Sequence, residues 1–327
     1  MSELVVTAPA RLHFGMLDPA GVGARRFGGF GVGVESPRVV VRVRRTGETG
    51  ADGTGAVVVS GAQVEPATMF ARRACSAFGL VEGVAVNVDE AIPPHMGLGS
   101  GTKLGLAIAR GLAGLVGQSP GPEQLAAASG RGARSSVGSW TFAAPGLVVE
   151  AGVPHGGSLS PLVARHPMPE RWRCVLALPL GAEGLSGDVE ERFFGQLRDL
   201  EGAEPRVSRL LLTVALPGLV TGDIDEFGVA LTQIQRDIGA MFAAAQGGIF
   251  HPRAAPLVDA LLALGVGAVG QSSWGPAVYG IVDGPERAAD VADRLRSTAG
   301  ADTDVRVVDF DRRGAWISTD SSSAAPV

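Results

Sequence analysis

The segment Pro93-Pro-His-Met-Gly97-Leu-Gly99-Ser100-Gly101-Thr102-Lys103 carries the densest chemistry in the chain. Gly97, Gly99 and Gly101 alternate with small or apolar residues. Leu104, Ile108, Leu112 and Leu115 then recur at helical spacing and share one face. The pattern predicts a glycine-rich loop that feeds a helix N-terminus. Free backbone N–H groups and the positive end of the helix dipole converge there, which suits a phosphate. Gly97, Gly99, Ser100, Gly101, Thr102 and Lys103 are therefore candidate phosphate binders. Lys103 is the only lysine among 28 basic residues. A compact ammonium group is expected at the mouth of this loop, with a candidate catalytic role. A plain loop ahead of a core helix is the alternative.

Other segments carry polar chemistry. Gly23 to Gly33 is glycine-dense and bears Arg25 and Arg26, which are either oxyanion binders or members of a solvated loop. Gly130 to Trp140 offers Arg131, Arg134, Ser135 and Ser136, all suited to anions. Arg11 and His13 alternate with Leu12 and Phe14 and should share one strand face. His13 is either a site residue or a satisfied strand histidine. Asp18 is a candidate catalytic acid, or else caps the turn before Pro19. In Gln271-Ser272-Ser273-Trp274-Gly275-Pro276, the serines are candidate hydrogen-bond partners for a ligand, and Trp274 either stacks on one or packs in the core. Gln235 and Asp237 lie two apart on a helix and cannot share a face.

The elements that must position these groups follow from periodicity. Strands are predicted near 3–14, 38–45, 56–60, 83–90, 146–152, 172–179, 266–271, 277–283 and 303–310. Helices are predicted near 65–79, 100–116, 122–129, 187–200, 205–216, 222–244, 253–264 and 285–299. The second half has β-α-β-β-α-β order with helices inserted, a split βαβ arrangement. The boundary between the halves is placed near residue 165, giving units 1–165 and 166–317. The small polar tail 318–327 is expected to be disordered.

Bulk composition narrows the function classes. The chain has 327 residues, 46% of them hydrophobic and 19% charged, with a net charge of −5. That is a globular α/β chain without the basic surface of a nucleic-acid binder. No apolar run spans a bilayer and no signal-peptide pattern opens the chain. Cys75 and Cys174 sit in apolar surroundings without metal-ligand spacing, as expected of buried thiols in a reducing cytoplasm.

Ala8-Pro9-Ala10-Arg11, the loop 93–103 and the loop 270–276 occur in the order of the three motifs of the GHMP small-molecule kinase superfamily, which the chain resembles over most of its length. The resemblance implies a two-domain α/β fold: an N-terminal half like ribosomal protein S5 domain 2 and a ferredoxin-like C-terminal half. It also implies that the middle loop wraps phosphates. One departure stands out. The kinases carry an Asp in a Ser-Gly-x-Asp segment that handles the attacking hydroxyl, and the corresponding stretch here, Gly130 to Phe142, contains no carboxylate.

Arg11-Leu-His13 with Asp18, Pro-His-Met-Gly-Leu-Gly-Ser-Gly-Thr, Gly-Arg-Gly-Ala-Arg-Ser and Gly-Gln-Ser-Ser-Trp-Gly-Pro together resemble one branch, the β-ribofuranosylaminobenzene 5′-phosphate synthases and the C-nucleoside synthases of formycin and pyrazofurin type. That resemblance implies transfer of ribose 5-phosphate from phosphoribosyl pyrophosphate (PRPP) to an aromatic carbon, with loss of CO₂ and pyrophosphate. It further implies a homodimer and Mg²⁺, with Asp18 the candidate for reaching the ion or the ribose hydroxyls and Arg11, Ser272, Ser273 and Trp274 the candidates for holding the acceptor, the serines at its carboxylate. The expected acceptor is an aminopyrazole dicarboxylate of C-nucleoside antibiotic biosynthesis, with 4-aminobenzoate of methanopterin biosynthesis as the alternative. An ATP-dependent kinase and a catalytically inactive phosphosugar-binding regulator are the competing readings.

Overall fold

The structure is a computed structural model and describes residues 3–19, 24–47, 55–184 and 204–319. The expected helix near 187–200, most of the Gly47–Gly55 turn and residues 320–327 of the tail lie outside the described residues. The first sheet is built on two long strands, β1 (Leu4–Asp18) and β2 (Arg25–Arg45), paired antiparallel along nearly their whole length. Beyond β2 come β4 (Val84–Glu90) and then, parallel to it, β3 (Val57–Gly61). The other end of β2 pairs with β5 (Leu147–Glu150) and β6 (Val153–Pro154), and β5 pairs with β7 (Leu162–His166). Helices α1 (Val64–Phe78), α2 (Ser100–Leu115), α3 (Pro122–Ser129) and α4 (Val137–Ala143) belong to this half. The apolar stripe read from α2 is buried against the sheet: Leu104, Ile108 and Leu112 are fully enclosed.

Two expectations change here. Gly23 to Gly33 reads as a loop, yet Arg25 onward is strand β2. Gly29, Gly31 and Gly33 alternate, so they bare one face of that strand. A Cβ on Gly31 would fall 2.2 Å from Leu12 O, and one on Gly33 would fall 2.9 Å from Asp311 Cβ. The glycines let neighbouring groups rest on naked backbone. The second change concerns the end of the chain. Ser318 and Thr319 are not tail: β12 (Trp316–Thr319) pairs antiparallel with Leu4–Thr7 and caps the open side of β1.

The second sheet has the order β11-β8-β10-β9, all antiparallel, from β8 (Trp172–Pro179), β9 (Ala268–Gln271), β10 (Val278–Asp283) and β11 (Thr303–Val308). This is the ferredoxin-like order. Helices α8 (Ala255–Ala263) and α9 (Pro285–Ala299) accompany it. Before them, α5 (Glu204–Leu210) widens into a π turn (Leu211–Ala215) and continues as α6 (Leu216–Thr221). Pro217 lacks the N–H that a regular helix needs there, and the wider turn precedes it. The longest helix, α7 (Ile224–Gln246), lies against both β1 and β9. One apolar core runs from Val6 through Leu104, Phe227 and Ala268 to Phe310, so the two halves share it.

Candidate active site

The three motifs meet because backbone and hydroxyl groups stitch them together. Ser272 Oγ donates to Gly97 O at 2.7 Å and accepts from His13 N at 3.0 Å. Ser273 N donates to His13 O, and Arg11 N donates to Leu98 O. The loop is held at positive φ by His95, Gly97 and Gly99. Met96 and Leu98 anchor it in the core, which leaves its backbone as the working surface. A Cβ on Gly97 would sit 2.0 Å from Ser272 O, so only glycine admits the contact. Ser272 is fully buried with its hydroxyl engaged; it joins motifs and does not reach an acceptor.

A cleft of about 690 Å³, counting its open mouth, lies between β1, α7 and the 271–274 loop. Arg11, His13, Arg134 and Ser135 line its polar end. Ile238, Phe242, Ile249, Phe250 and Trp274 line the apolar end. Trp274 stacks on Phe242 with ring centroids 4.6 Å apart, so it both packs and borders the cleft. Between the two ends is an amide cluster. Gln235 accepts from Gln271 N at 2.9 Å, and Gln271 Nε2 donates to Gln246 Oε1 at 3.1 Å. Among the described residues the lining contains no carboxylate.

The start of α2 is surrounded by guanidinium groups. Arg131 Nη2 lies 3.0 Å from where a Cβ on Gly101 would be, Arg73 of α1 packs on Gly130, and Arg134 opens onto the cleft. Arg131 also lies over the Phe70 ring, and its Nε has no hydrogen-bond partner among the described residues. Burial first, then the charges of Arg134 and Arg73, hold its basicity below the usual arginine range. Three like charges at a positive helix end form a basin for a polyanion. Arg73 escaped the sequence reading because it lies on α1, far from any motif.

Several predicted residues are elsewhere. Lys103 is not at the loop mouth. It is fully buried, donates from Nζ to Thr141 Oγ1 at 3.0 Å and faces the Phe142 ring. Burial pushes its pKa down to about 7, against the opposing pull of Asp311 and with help from Arg11. Thr102 packs its methyl group where Gly138 has no side chain. Ser136 is buried and holds the turn, donating to Gly132 O and accepting from Ser160 N. Arg25 and Arg26 pair with β6, Asp18 at the far end of β1 pairs with Phe27 of β2, and none of the three is in the cleft lining. No group of three or more His, Cys, Asp or Glu side chains is placed to hold a metal among the described residues.

The window 130–142 lacks a carboxylate, but the fold supplies one from β5. Glu150 is fully buried beneath Ser135. Its Oε1 accepts from Ser136 N at 2.8 Å and from Ser135 Oγ at 3.0 Å. Ser135 Oγ is also 3.0 Å from His13 Nε2. Burial raises the Glu150 pKa in spite of these bonds. Burial, then Arg11, lowers His13 to about 3. The one sequence signal for Glu150 was an acid closing an otherwise apolar strand, Leu-Val-Val-Glu.

Two sheets sharing a core, with a glycine loop entering a helix, define the GHMP kinase fold. The GHMP kinases N terminal domain model matches residues 66–141 and the GHMP kinases C terminal model matches residues 215–301. Homoserine kinase from Cytophaga hutchinsonii superposes with a TM-score of 0.69 at 15% identity, covering 96% of this chain and 97% of that one. Mevalonate pyrophosphate decarboxylase from Streptococcus pyogenes also gives 0.69, at 14% identity over 95% and 97% of the two chains. β-Ribofuranosylphenol 5′-phosphate synthase of Methanothermobacter thermautotrophicus is 31% identical over 317 residues, covering 91% of this chain and 94% of its own length. The same-named protein of Archaeoglobus fulgidus is 31% identical over 294 residues, covering 86% and 88%. This chain belongs to that synthase family.

Proposed function

We propose that the protein transfers ribose 5-phosphate from PRPP to the carboxylate-bearing carbon of a para-substituted benzoate, releasing CO₂ and pyrophosphate. The carrying observation is a cleft with Arg11 and Arg134 at its polar end, Arg134 being one of the charges that bear on Arg131 at the start of α2, and an aromatic, amide-lined pocket at the other, with no carboxylate among the described lining residues. Arginines and helix N–H groups would neutralise the phosphates as the C1′–O bond breaks. The aromatic carbon attacks C1′ with a ring electron pair. The C–CO₂ bond then breaks and its pair restores the ring. That carbon carries no proton, so the chemistry needs positioning and charge stabilisation more than a base.

The relatives' name specifies a phenol product, and the aminopyrazole acceptor gives way to a benzoate with hydroxyl or amino at the para position. A kinase reading lacks support from the site. Glu150 is sealed under Ser135 and does not reach the cleft, where a hydroxyl's proton would have to be accepted. The test is incubation of the full chain with PRPP and carboxyl-labelled 4-hydroxybenzoate or 4-aminobenzoate. Labelled CO₂, pyrophosphate and C-riboside are expected in equal amounts. A riboside that keeps its label, or phosphorylation of an alcohol by ATP, would overturn the proposal.

A further inference from the structure

The proposed ribosyl transfer has no direct use for a buried acid, yet Glu150 is wholly enclosed one hydroxyl away from the cleft. Hydrogen-bond accounting shows what it does. Glu150 Oε1 accepts from Ser136 N and lies 3.0 Å from Ser135 Oγ. A carboxylate oxygen so placed accepts, so the single Ser135 hydroxyl proton is directed to it. Ser135 Oγ can then only accept, and it does so from Val137 N at 3.3 Å and from the ring nitrogen 3.0 Å away, His13 Nε2. Nε2 must carry a proton to fill that bond. This direction of donation belongs to the ionised carboxylate, which the bonds from Ser136 N and Ser135 Oγ favour against the burial that raises its pKa.

We propose that Glu150, acting through Ser135, is a positioning residue that fixes His13 as the Nε2-protonated imidazole in the cleft wall, leaving Nδ1 as a hydrogen-bond acceptor for a hydroxyl or amino donor on a substrate. The surroundings agree with a neutral ring. Among the described residues, the charged groups that share the cleft lining with it are Arg11 on its own strand and Arg134 before α4. The flanking helix α7 and the 271–274 loop present only Gln235, Gln246, Gln271 and apolar or hydroxyl side chains to the cleft. Gly29, across from the ring, leaves room for it: a Cβ there would come within 3.3 Å of its Cε1 and Nε2. Two guanidinium neighbours and full burial disfavour an imidazolium.

The tautomer stands independently of the reaction, whereas the kinetic consequence rests on the ribosyl-transfer reading. Nitrogen-15 NMR of the histidine-labelled full chain at neutral pH, with His13 assigned through His13→Gln, reads the tautomer directly. Wild type is expected to show a protonated Nε2 and a bare Nδ1. Ser135→Ala, at a half-buried position, and Glu150→Ala should lose this fixed pattern. Glu150→Gln, whose amide oxygen still accepts from Ser136 N and Ser135 Oγ, should keep it. A wild-type proton on Nδ1, a cationic ring, or an unchanged tautomer in Ser135→Ala overturns the proposal, and the last of these serves even if Glu150→Ala fails to fold. In turnover, Ser135→Ala should lower kcat about tenfold to hundredfold, with Glu150→Gln retaining most of the activity. Calorimetry with PRPP alone and with the benzoate alone identifies which ligand supplies the donor, since Ser135→Ala should weaken only that one; weakening of neither overturns the acceptor role of Nδ1. The expected tautomer without any C-riboside would sink the ribosyl-transfer reading and leave the hydrogen-bonded chain standing.

Discussion

Lys103 shows how far a residue's type can mislead about its place. The sole lysine of the chain follows a phosphate loop, and the obvious inference puts its charge on the ligand. Helical periodicity decides otherwise: position 103 begins the buried face that continues through Leu104 and Ala107. Its ammonium group is shut in with Thr141, and its pKa falls from 10.5 to about 7. The sign follows by linkage. Above pH 10.5 the lysine is neutral folded or unfolded and costs nothing. As pH falls from 10.5 to 7 the unfolded chain takes up a proton that the folded chain refuses, so stability drops across that window and levels off below it. Lys103→Met should therefore be more stable than wild type at pH 7, by on the order of a few kcal/mol at most, with the gap closing toward pH 10.5. Thermal melts across that range check this, and a gap that widens with pH would contradict it. The same variant should bind pyrophosphate within about twofold of wild type, because nothing places Lys103 in the cleft.

At the scale of elements, the glycine pattern was legible but its meaning was not. Glycines in Gly28 to Gly33 resemble those in Gly97 to Gly101, and sequence alone reads both as loops. The structure separates them by what lies opposite. Gly29, Gly31 and Gly33 have extended backbone in a strand and make room for His13, Leu12 and Asp311. Gly97 and Gly99 have φ of 76° and 78°, as a tight loop demands. Gly97→Ala would meet both the positive φ and Ser272 O. It should destabilise the protein by about 1–3 kcal/mol and loosen the joint between motifs. Denaturant unfolding and PRPP affinity check it, and a neutral variant would show that the loop is not clamped there. Most strands and helices were readable from apolar spacing. Glu150 and Arg73 were not, because their partners are distant in sequence: Ser135 comes from a different element, and Arg73 meets Gly130 only once α1 and α3 have packed.

The whole molecule is less divisible than its two sequence halves suggest. A boundary near residue 165 separates the strands of the first sheet from β8, but β12 crosses back to pair with β1, and the apolar core is continuous across both halves. Removing residues 316–327 should strip β1 of its outer partner, expose a strand edge and lower Tm by several degrees, with self-association growing at higher concentration. Melting curves and light scattering at several concentrations check this. An unchanged Tm would mean that the strand is decoration. No helix among the described residues is long and apolar enough to cross a membrane.

The Ser272 hydroxyl, bonded at once to residues 13 and 97, has a consequence for the birth of the protein. A ribosome delivers the chain from its amino end. The first two motifs are outside and waiting while the serine that couples them is still unmade, and the strand that seals β1 is translated later still. Chains terminated before residue 272 therefore carry a loop without its fastening, and functional competence waits on that residue rather than arriving by instalments.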